Sequence, residues 1–249
     1  MRPQREKVYM YGKHALTEAL LNAPHIVRKI FLSPEIEDKE LRALIGKHKI
    51  PLETIKSREA DRMVGADTSH QGVIAIIDAS ALSVDFKDFL RNLKISNDTM
   101  LVLLDELTDP HNVGAIIRSA AAFGAAGVLI PSHNQAPVTG AVVKASAGMA
   151  FRVPLVSIGN VNYTIDLLKD EGFRTYALAM NGSKNIIEEK FDAPSLIIVG
   201  NESKGIRQKT FERADVTLRI PMDPRCESLN ASVSTAVVLY QWSVEHMKI

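Results

Sequence analysis

From Met100 onward, short apolar runs alternate with helical patterns, and this alternation constrains the chain more than any other feature. The runs fall at residues 101–104, 128–131, 154–158, 175–178, 196–199 and 216–220. Parallel strands cannot be joined by tight turns, so strands that alternate with helices predict a largely parallel, doubly wound α/β sheet. Ligands of such sheets gather outside the carboxyl ends of the strands. A helix over about 232–247 ends the pattern.

Residues 12–78 alternate on a smaller scale. Helical patterns at 15–21 and 39–47 and one beginning at Ser57 are interleaved with strands at 27–32, 52–55 and 72–77, which reads as a compact α/β sandwich. A weak amphipathic stretch (Phe86, Phe89, Leu90, Leu93) follows inside polar, turn-forming sequence. The expected organisation is a first domain over 1–78, a linker over 79–96 and a second domain over 97–249. A chain of 249 residues is long enough for two such cores.

Lysine and arginine total 30 against 29 acidic residues, so a net charge of +1 gives no global field to draw in a polyanion. Contact with nucleic acid then depends on local patches. The densest basic run, Arg2, Arg5, Lys7, Lys13 and His14, reads on charge alone as a solvated tail. Cys226 is the one cysteine, which excludes an intrachain disulfide and a cysteine-based metal site, and fits a reducing cytoplasm. No stretch approaches the roughly 18 apolar residues of a membrane span. A cytoplasmic chain with no membrane association is expected.

Several familiar chemistries are missing. The segment 200–205 (Gly-Asn-Glu-Ser-Lys-Gly) imitates a phosphate loop, but Ile206 and Arg207 stand where lysine and serine or threonine would reach phosphate and magnesium. No G-x-G-x-x-G follows a strand, which argues against a nicotinamide-dependent oxidoreductase. His111 lies near Asp105, Glu106 and Asp109 but lacks a partner one turn on, so no metal site is expected.

What remains is three strand-end loops rich in amide, carboxylate and glycine. The first, Asp109-Pro-His-Asn112-Val-Gly-Ala, leads into a small-residue apolar helix that carries Arg118. Asn112 reads most simply as a helix cap. Arg118, six residues on, is not far from the same face by this reading, and a charge on such a helix needs a partner or a polar cavity. The second loop is Gly200-Asn201-Glu202. The third runs from Ile220-Pro-Met222 to Glu227-Ser228-Leu229-Asn230-Ala-Ser-Val. Each alone is a loop with good turn chemistry, but three in order at corresponding strand ends are harder to dismiss as turns.

Together these segments resemble the three motifs of SpoU-type RNA 2′-O-methyltransferases (the TrmH family) of the SPOUT class. The segments Tyr11-Gly-Lys-His-Ala-Leu and His70-Gln-Gly-Val resemble those of the RlmB-type enzymes, which methylate a guanosine ribose in 23S ribosomal RNA and carry an additional ribosomal-protein-like RNA-binding domain. Two departures stand out: Ser203 replaces a glycine found in many members, and 223–226 (Asp-Pro-Arg-Cys) replaces a smaller approach to the third motif.

The resemblance implies S-adenosylmethionine as cofactor, held in a C-terminal trefoil knot by Gly200, Ile220 and Leu229 with Asn201 and Met222 beside them. It also implies an RNA substrate and a homodimer with the site near the subunit interface. Asn112, Arg118, Glu202, Ser228 and Asn230 become the catalytic inventory. Because a guanidinium stays protonated, Arg118 is expected to stabilise an alkoxide or a phosphate while Glu202 and Asn230 order the site. Cys226 is expected to be a small buried filler. The alternatives are the same reaction on transfer RNA or another ribosomal site, and an RNA-binding assembly factor without catalysis.

Overall fold

A computed structural model describes residues 7–65 and 68–246. In chain order the elements are β1 (Lys7–Tyr11), α1 (Lys13–Asn22), β2 (Val27–Leu32), α2 (Lys39–His48), β3 (Leu52–Thr54), α3 (Ser57–Val64), β4 (Val73–Asp78), β5 (Ser83–Asp85), α4 (Phe86–Asn92), β6 (Met100–Asp105), α5 (Pro110–Ala122), β7 (Gly127–Pro131), α6 (Gly140–Ala145), β8 (Leu155–Ile158), α7 (Val161–Asp170), β9 (Arg174–Leu178), β10 (Lys184–Asn185), β11 (Ser195–Gly200), α8 (Gln208–Phe211), β12 (Val216–Arg219) and α9 (Ala231–His246).

The first seven elements build a four-stranded sheet in the order β1-β4-β2-β3. The pleat of β4 divides its residues: Val73, Ala75 and Ile77 pack with Leu16, Leu20, Leu41 and Ile45 of α1 and α2, while Ile74 faces Ala60 of α3. β1 corrects the sequence reading. Part of the basic run expected as a solvated tail is an antiparallel strand on β4, with Met10 opposite Ala75 and fully buried. Charge counting overlooked the apolar residues between the cations; Arg2 and Arg5 lie outside the described residues.

The remaining strands form an eight-stranded sheet in the order β10-β12-β9-β11-β6-β7-β8-β5, parallel at every pairing. Its central strands are apolar on both faces, as a doubly covered sheet requires. Met100, Val102 and Leu104 of β6 join α5, α6 and α9 in one core, and Leu101 and Leu103 join α4 and α7 in another.

Residues 79–96, expected as a linker, are largely part of this second unit. β5 pairs with β8 as the edge strand of the sheet, and Phe86 and Phe89 of α4 cover the sheet below it. The stretch that looked weakly amphipathic is the apolar face of that cover.

The two sheets are packed against each other through the segment from α6 to Arg152. Arg152 donates from Nε and Nη2 to buried Glu18 at 2.5 and 2.9 Å. Lys144 Nζ donates to the Ser69 carbonyl at 2.9 Å and lies 4.8 Å from the Tyr11 ring centroid. Gly140 abuts the backbone of β1 so closely that a Cβ there would fall 1.9 Å from the Tyr9 carbonyl oxygen.

Candidate active site

β11 delivers Gly200 next to Asp105, the last residue of β6. Beyond Gly200 the chain folds back on itself: Asn201 N donates to Gly205 O at 3.0 Å, and Gly205 N returns to Asn201 O at 2.9 Å. The Asn201 side chain ties this loop from within, accepting from Ser203 N and Lys204 N, and ties it outward by donating from Nδ2 to Glu106 O at 2.7 Å. A Cβ on Gly200 would come within 2.3 Å of the backbone at 205–206. The glycine is therefore demanded by the loop's own fold-back, a reason the sequence did not reveal. Ser203 has no left-handed backbone, so its substitution for glycine strains nothing.

The ends of β9, β11 and β12, with this loop and the segment before α9, enclose a cavity of about 680 Å³. Gly200, Asn201, Ile220, Met222 and Leu229, all expected to hold a cofactor, line it together with Glu202 and Ser228. Leu178, Leu218 and Phe211 make the rest of the wall largely apolar, and Glu227 adds a second carboxylate. A cavity of this size, with aliphatic side chains, strand-end backbone and the carboxylates of Glu202 and Glu227 against the single cation Lys204 among its lining residues, suits a nucleoside that bears a positive centre. It has the chemistry of an S-adenosylmethionine pocket.

Glu202 stands where this cavity meets the start of α5. Asn112 Nδ2 donates to its Oε1 at 3.0 Å, and Asp109 N approaches the same oxygen at 3.4 Å. Burial pushes the Glu202 carboxyl up, but the Asn112 amide and the backbone N–H groups around it outweigh burial and hold the group below its ordinary range. Asn112 Oδ1 in turn accepts from Asn230 Nδ2 at 2.9 Å. Three motifs far apart in sequence thus meet in one hydrogen-bonded chain, Glu202–Asn112–Asn230.

Asn112 is not the cap that the sequence suggested. Asp109 caps α5 by accepting from His111 N at 2.8 Å, with Pro110 in the first helical position, so Asn112 lies inside the helix and is buried. Asn230 is the true cap, accepting from Ser232 N at 2.8 Å at the start of α9. Arg118 is exposed and makes no hydrogen bond or ion pair with the described residues. Six residues turn a helix by about 600°, which leaves Arg118 some 120° away from Asn112 rather than on its face. Cys226, expected to be buried, is exposed within the open segment 223–230.

The sequence reading also missed a clamp. Asp105 is fully buried, and Arg207 grips it: Nε to Oδ1 at 2.8 Å, Nη2 to Oδ1 at 2.6 Å, and its backbone N to Oδ2 at 3.0 Å. Arg207 Nη1 also lies 3.1 Å from Glu106 Oε1. This pins the far end of the 200–206 loop to β6. The signal was present as a lone acid ending an apolar strand, but Arg207 was weighed only as a failed phosphate-loop residue.

Comparison with known proteins bears on the family and the fold. Residues 99–240 match the SpoU rRNA Methylase family, and residues 9–82 match the family described as RNA 2′-O ribose methyltransferase substrate binding. The chain is similar to a tRNA/rRNA methyltransferase of Mycoplasma genitalium, at 33% identity over 97% of this chain and 99% of that protein. Among solved structures it is similar to the SpoU methyltransferase AviRb of Streptomyces viridochromogenes in complex with AdoMet (TM-score 0.80, 23% identity, 96% of this chain and 90% of that chain). It is also similar to the AdoMet-bound rRNA methyltransferase of Sinorhizobium meliloti (TM-score 0.82, 22% identity, 99% and 90%). On the strength of the family match across the second sheet and the full-length relative, the chain belongs to the SpoU rRNA Methylase family.

Proposed function

We propose that this RNA methyltransferase transfers a methyl group from S-adenosylmethionine to a ribose 2′-oxygen, with a guanosine of 23S ribosomal RNA as the target. The observation that carries this reading is the Glu202–Asn112–Asn230 chain at the rim of the cavity. Bound S-adenosylmethionine supplies an electrophilic methyl on a positive sulfonium. Gly200, Asn201, Ile220, Met222 and Leu229 would hold it. Methyl transfer to a hydroxyl is a direct displacement, so the protein has to align the oxygen and stabilise its developing charge.

Glu202, kept ionised by its donors, accepts from the ribose hydroxyl, orients it and takes up its proton as the oxygen–methyl bond forms and the sulfur–methyl bond breaks. Asn112 and Asn230 are positioning residues that hold the carboxylate in place. Ser228, exposed on the cavity wall, offers a further hydroxyl to the substrate. Arg118, turned away from this chain's own cavity, would stabilise the alkoxide or a neighbouring phosphate across the interface with a second copy.

We assign RNA binding to residues 7–78 and catalysis to the unit that follows, which the similarity of residues 9–82 to a substrate-binding family supports. We extend the SPOUT resemblance to the trefoil knot: after β12 near one edge, the chain returns to set α9 against α5 beside the sheet centre. A homodimer is favoured by α9 itself. Its inner face packs Val238, Leu239 and Trp242, yet its outer face shows Val233, Val237, Tyr240 and Val244 at 36–60% exposure. An exposed apolar strip of this kind, opposite a face already packed on the core, calls for a cover of its own. A second copy placed there would also meet Arg118, on the solvent side of the adjoining α5.

Ribose-methylation mapping of RNA from cells with and without the gene tests the reading. Loss of one 2′-O-methylguanosine in 23S RNA is the expected result; loss in transfer RNA would redirect the substrate, and no loss anywhere would favour a non-catalytic assembly factor.

A further inference from the structure

A second cavity, of about 610 Å³, opens on the same carboxyl edge of the sheet. Glu106, Thr108, Asn134, Gln135, Asn201 and Lys204 line it with Ala136 and Pro137, so that hydrogen-bonding side chains make most of its wall. Asn201 and Lys204 line both, so the strip 201–204 that carries Glu202 is a shared wall. Glu106 and Asn134 both hold left-handed backbone, φ 63° and 55°. For non-glycine residues this conformation is costly and persists where the surroundings enforce it. Here the two strained residues meet, Asn134 Nδ2 donating to Glu106 Oε1 at 3.3 Å, and Arg207 Nη1 faces the same oxygen. Glu106 Oε2 carries no hydrogen bond among the described residues. Gln135 is fixed from below, its Oε1 accepting from Leu107 N at 2.9 Å.

We propose that this cavity holds the base of the nucleotide being methylated and that Glu106 selects guanine. The proposal rests on the reading of the first cavity as the methyl-donor site of a ribose methyltransferase. A ribose lies one glycosidic bond from its base, so a hydroxyl presented at Glu202 places the base in an adjoining compartment. The wall shared by the two cavities provides that adjacency. Guanine alone among the four bases shows two adjacent N–H donors, N1 and N2, on its pairing edge. A carboxylate is acceptor-only and matches that pair; adenine and cytosine would set a lone pair against it, and uracil offers one donor between two carbonyls. The Asn134 amide and the Lys204 ammonium are donors within the same cavity for guanine O6. Pockets that read an unstacked base work through this edge.

The test incubates the full-length protein and labelled S-adenosylmethionine with ribosomal RNA from cells lacking the gene, then digests the RNA to nucleosides. Wild-type protein should label 2′-O-methylguanosine. Glu106→Gln keeps the shape but places an amide against the donor edge, and should lower that product by roughly tenfold or more, as loss of a matched buried partner does. Calorimetry should show S-adenosylmethionine affinity unchanged, since Glu106 is outside the first cavity. Because Glu106 also supports Arg207, Asn134→Gly serves as a second variant that retains the left-handed backbone and removes only the amide. Label in another nucleoside, or undiminished guanosine label in both variants, would overturn the assignment. Absence of label in every nucleoside despite cofactor binding would instead defeat the methyltransferase reading, and this inference with it.

Discussion

Asn112 Nδ2 donates to Glu202 Oε1 at 3.0 Å, joining α5 to the loop after β11 across 90 positions of chain. Removing the carboxylate should therefore leave the fold intact and cripple the chemistry. Glu202→Ala is expected to lower single-turnover methyl transfer on the order of a hundredfold with little change in melting temperature. Asn230→Ala differs, since Asn230 also caps α9; it should lose turnover and, in addition, about 1 kcal/mol of stability. Activity loss in Glu202→Ala that merely tracks a fall in melting temperature would assign the residue to stability.

The pH dependence follows from the lowered Glu202 pKa, whose ordinary value is 4.5. A carboxylate with a depressed folded-state pKa stabilises at all pH above its unfolded value and loses that contribution as pH falls through the folded one. Glu189 and Asp215 are lowered as well, with Lys184 and Lys169 foremost among the groups outweighing burial. Stability and cofactor binding should stay flat from neutral pH down to the ordinary carboxylate range and fall only below it. Acid titration by circular dichroism checks this; a transition near pH 6 would contradict it.

Arg207→Ala leaves buried Asp105 with the backbone N–H of residue 207 but without its guanidinium. Breaking such a pair costs several kcal/mol when both partners are buried. Arg207 is itself 44% exposed, so about 2–3 kcal/mol is expected after solvent screening. Arg207→Lys, lacking the fork, should recover only part of it. Urea unfolding midpoints read the effect, and cofactor affinity should weaken in parallel as the loop is released.

Gly140→Ala forces a methyl group against the Tyr9 carbonyl, a backbone atom that cannot swing aside. Overpacking of this kind costs roughly 1–3 kcal/mol. The damage should fall on the contact between the two sheets, so limited proteolysis near residues 79–82 should accelerate while S-adenosylmethionine affinity is retained.

Charging the outer face of α9 tests the dimer. Val233→Glu paired with Val244→Glu should yield a folded monomer by light scattering, because these side chains are 47% and 60% exposed in the single chain. A wild-type monomer at micromolar concentration would remove the proposal.

How legible all this was depended on how local each cause is. The apolar strands β6, β7, β9 and β11 announce themselves because a doubly covered strand is continuously hydrophobic. β5 and β10 do not: Ser83–Asp85 and Lys184–Asn185 are short edge strands with no internal pattern, created by the neighbours they pair with. The residues around the cavity were readable because strand ends are where such sheets bind. The contacts of Asn112 were not, since a buried amide bonded to a carboxylate on a distant loop leaves the same local sequence as a cap. Arg118 was misplaced by helical arithmetic, and the reason for Gly200 lies in backbone five residues further on.

The links that build the site span 90, 102 and 118 positions (Asn112–Glu202, Asp105–Arg207 and Asn112–Asn230). Contacts of such separation close large loops and form slowly relative to local helices. During refolding, helical signal should therefore return well before the pocket does, and cofactor binding will report the final step of assembly. Until α9 docks, Asn112 has no Asn230 to meet, so under the proposed mechanism partly folded molecules should be catalytically silent instead of methylating RNA indiscriminately.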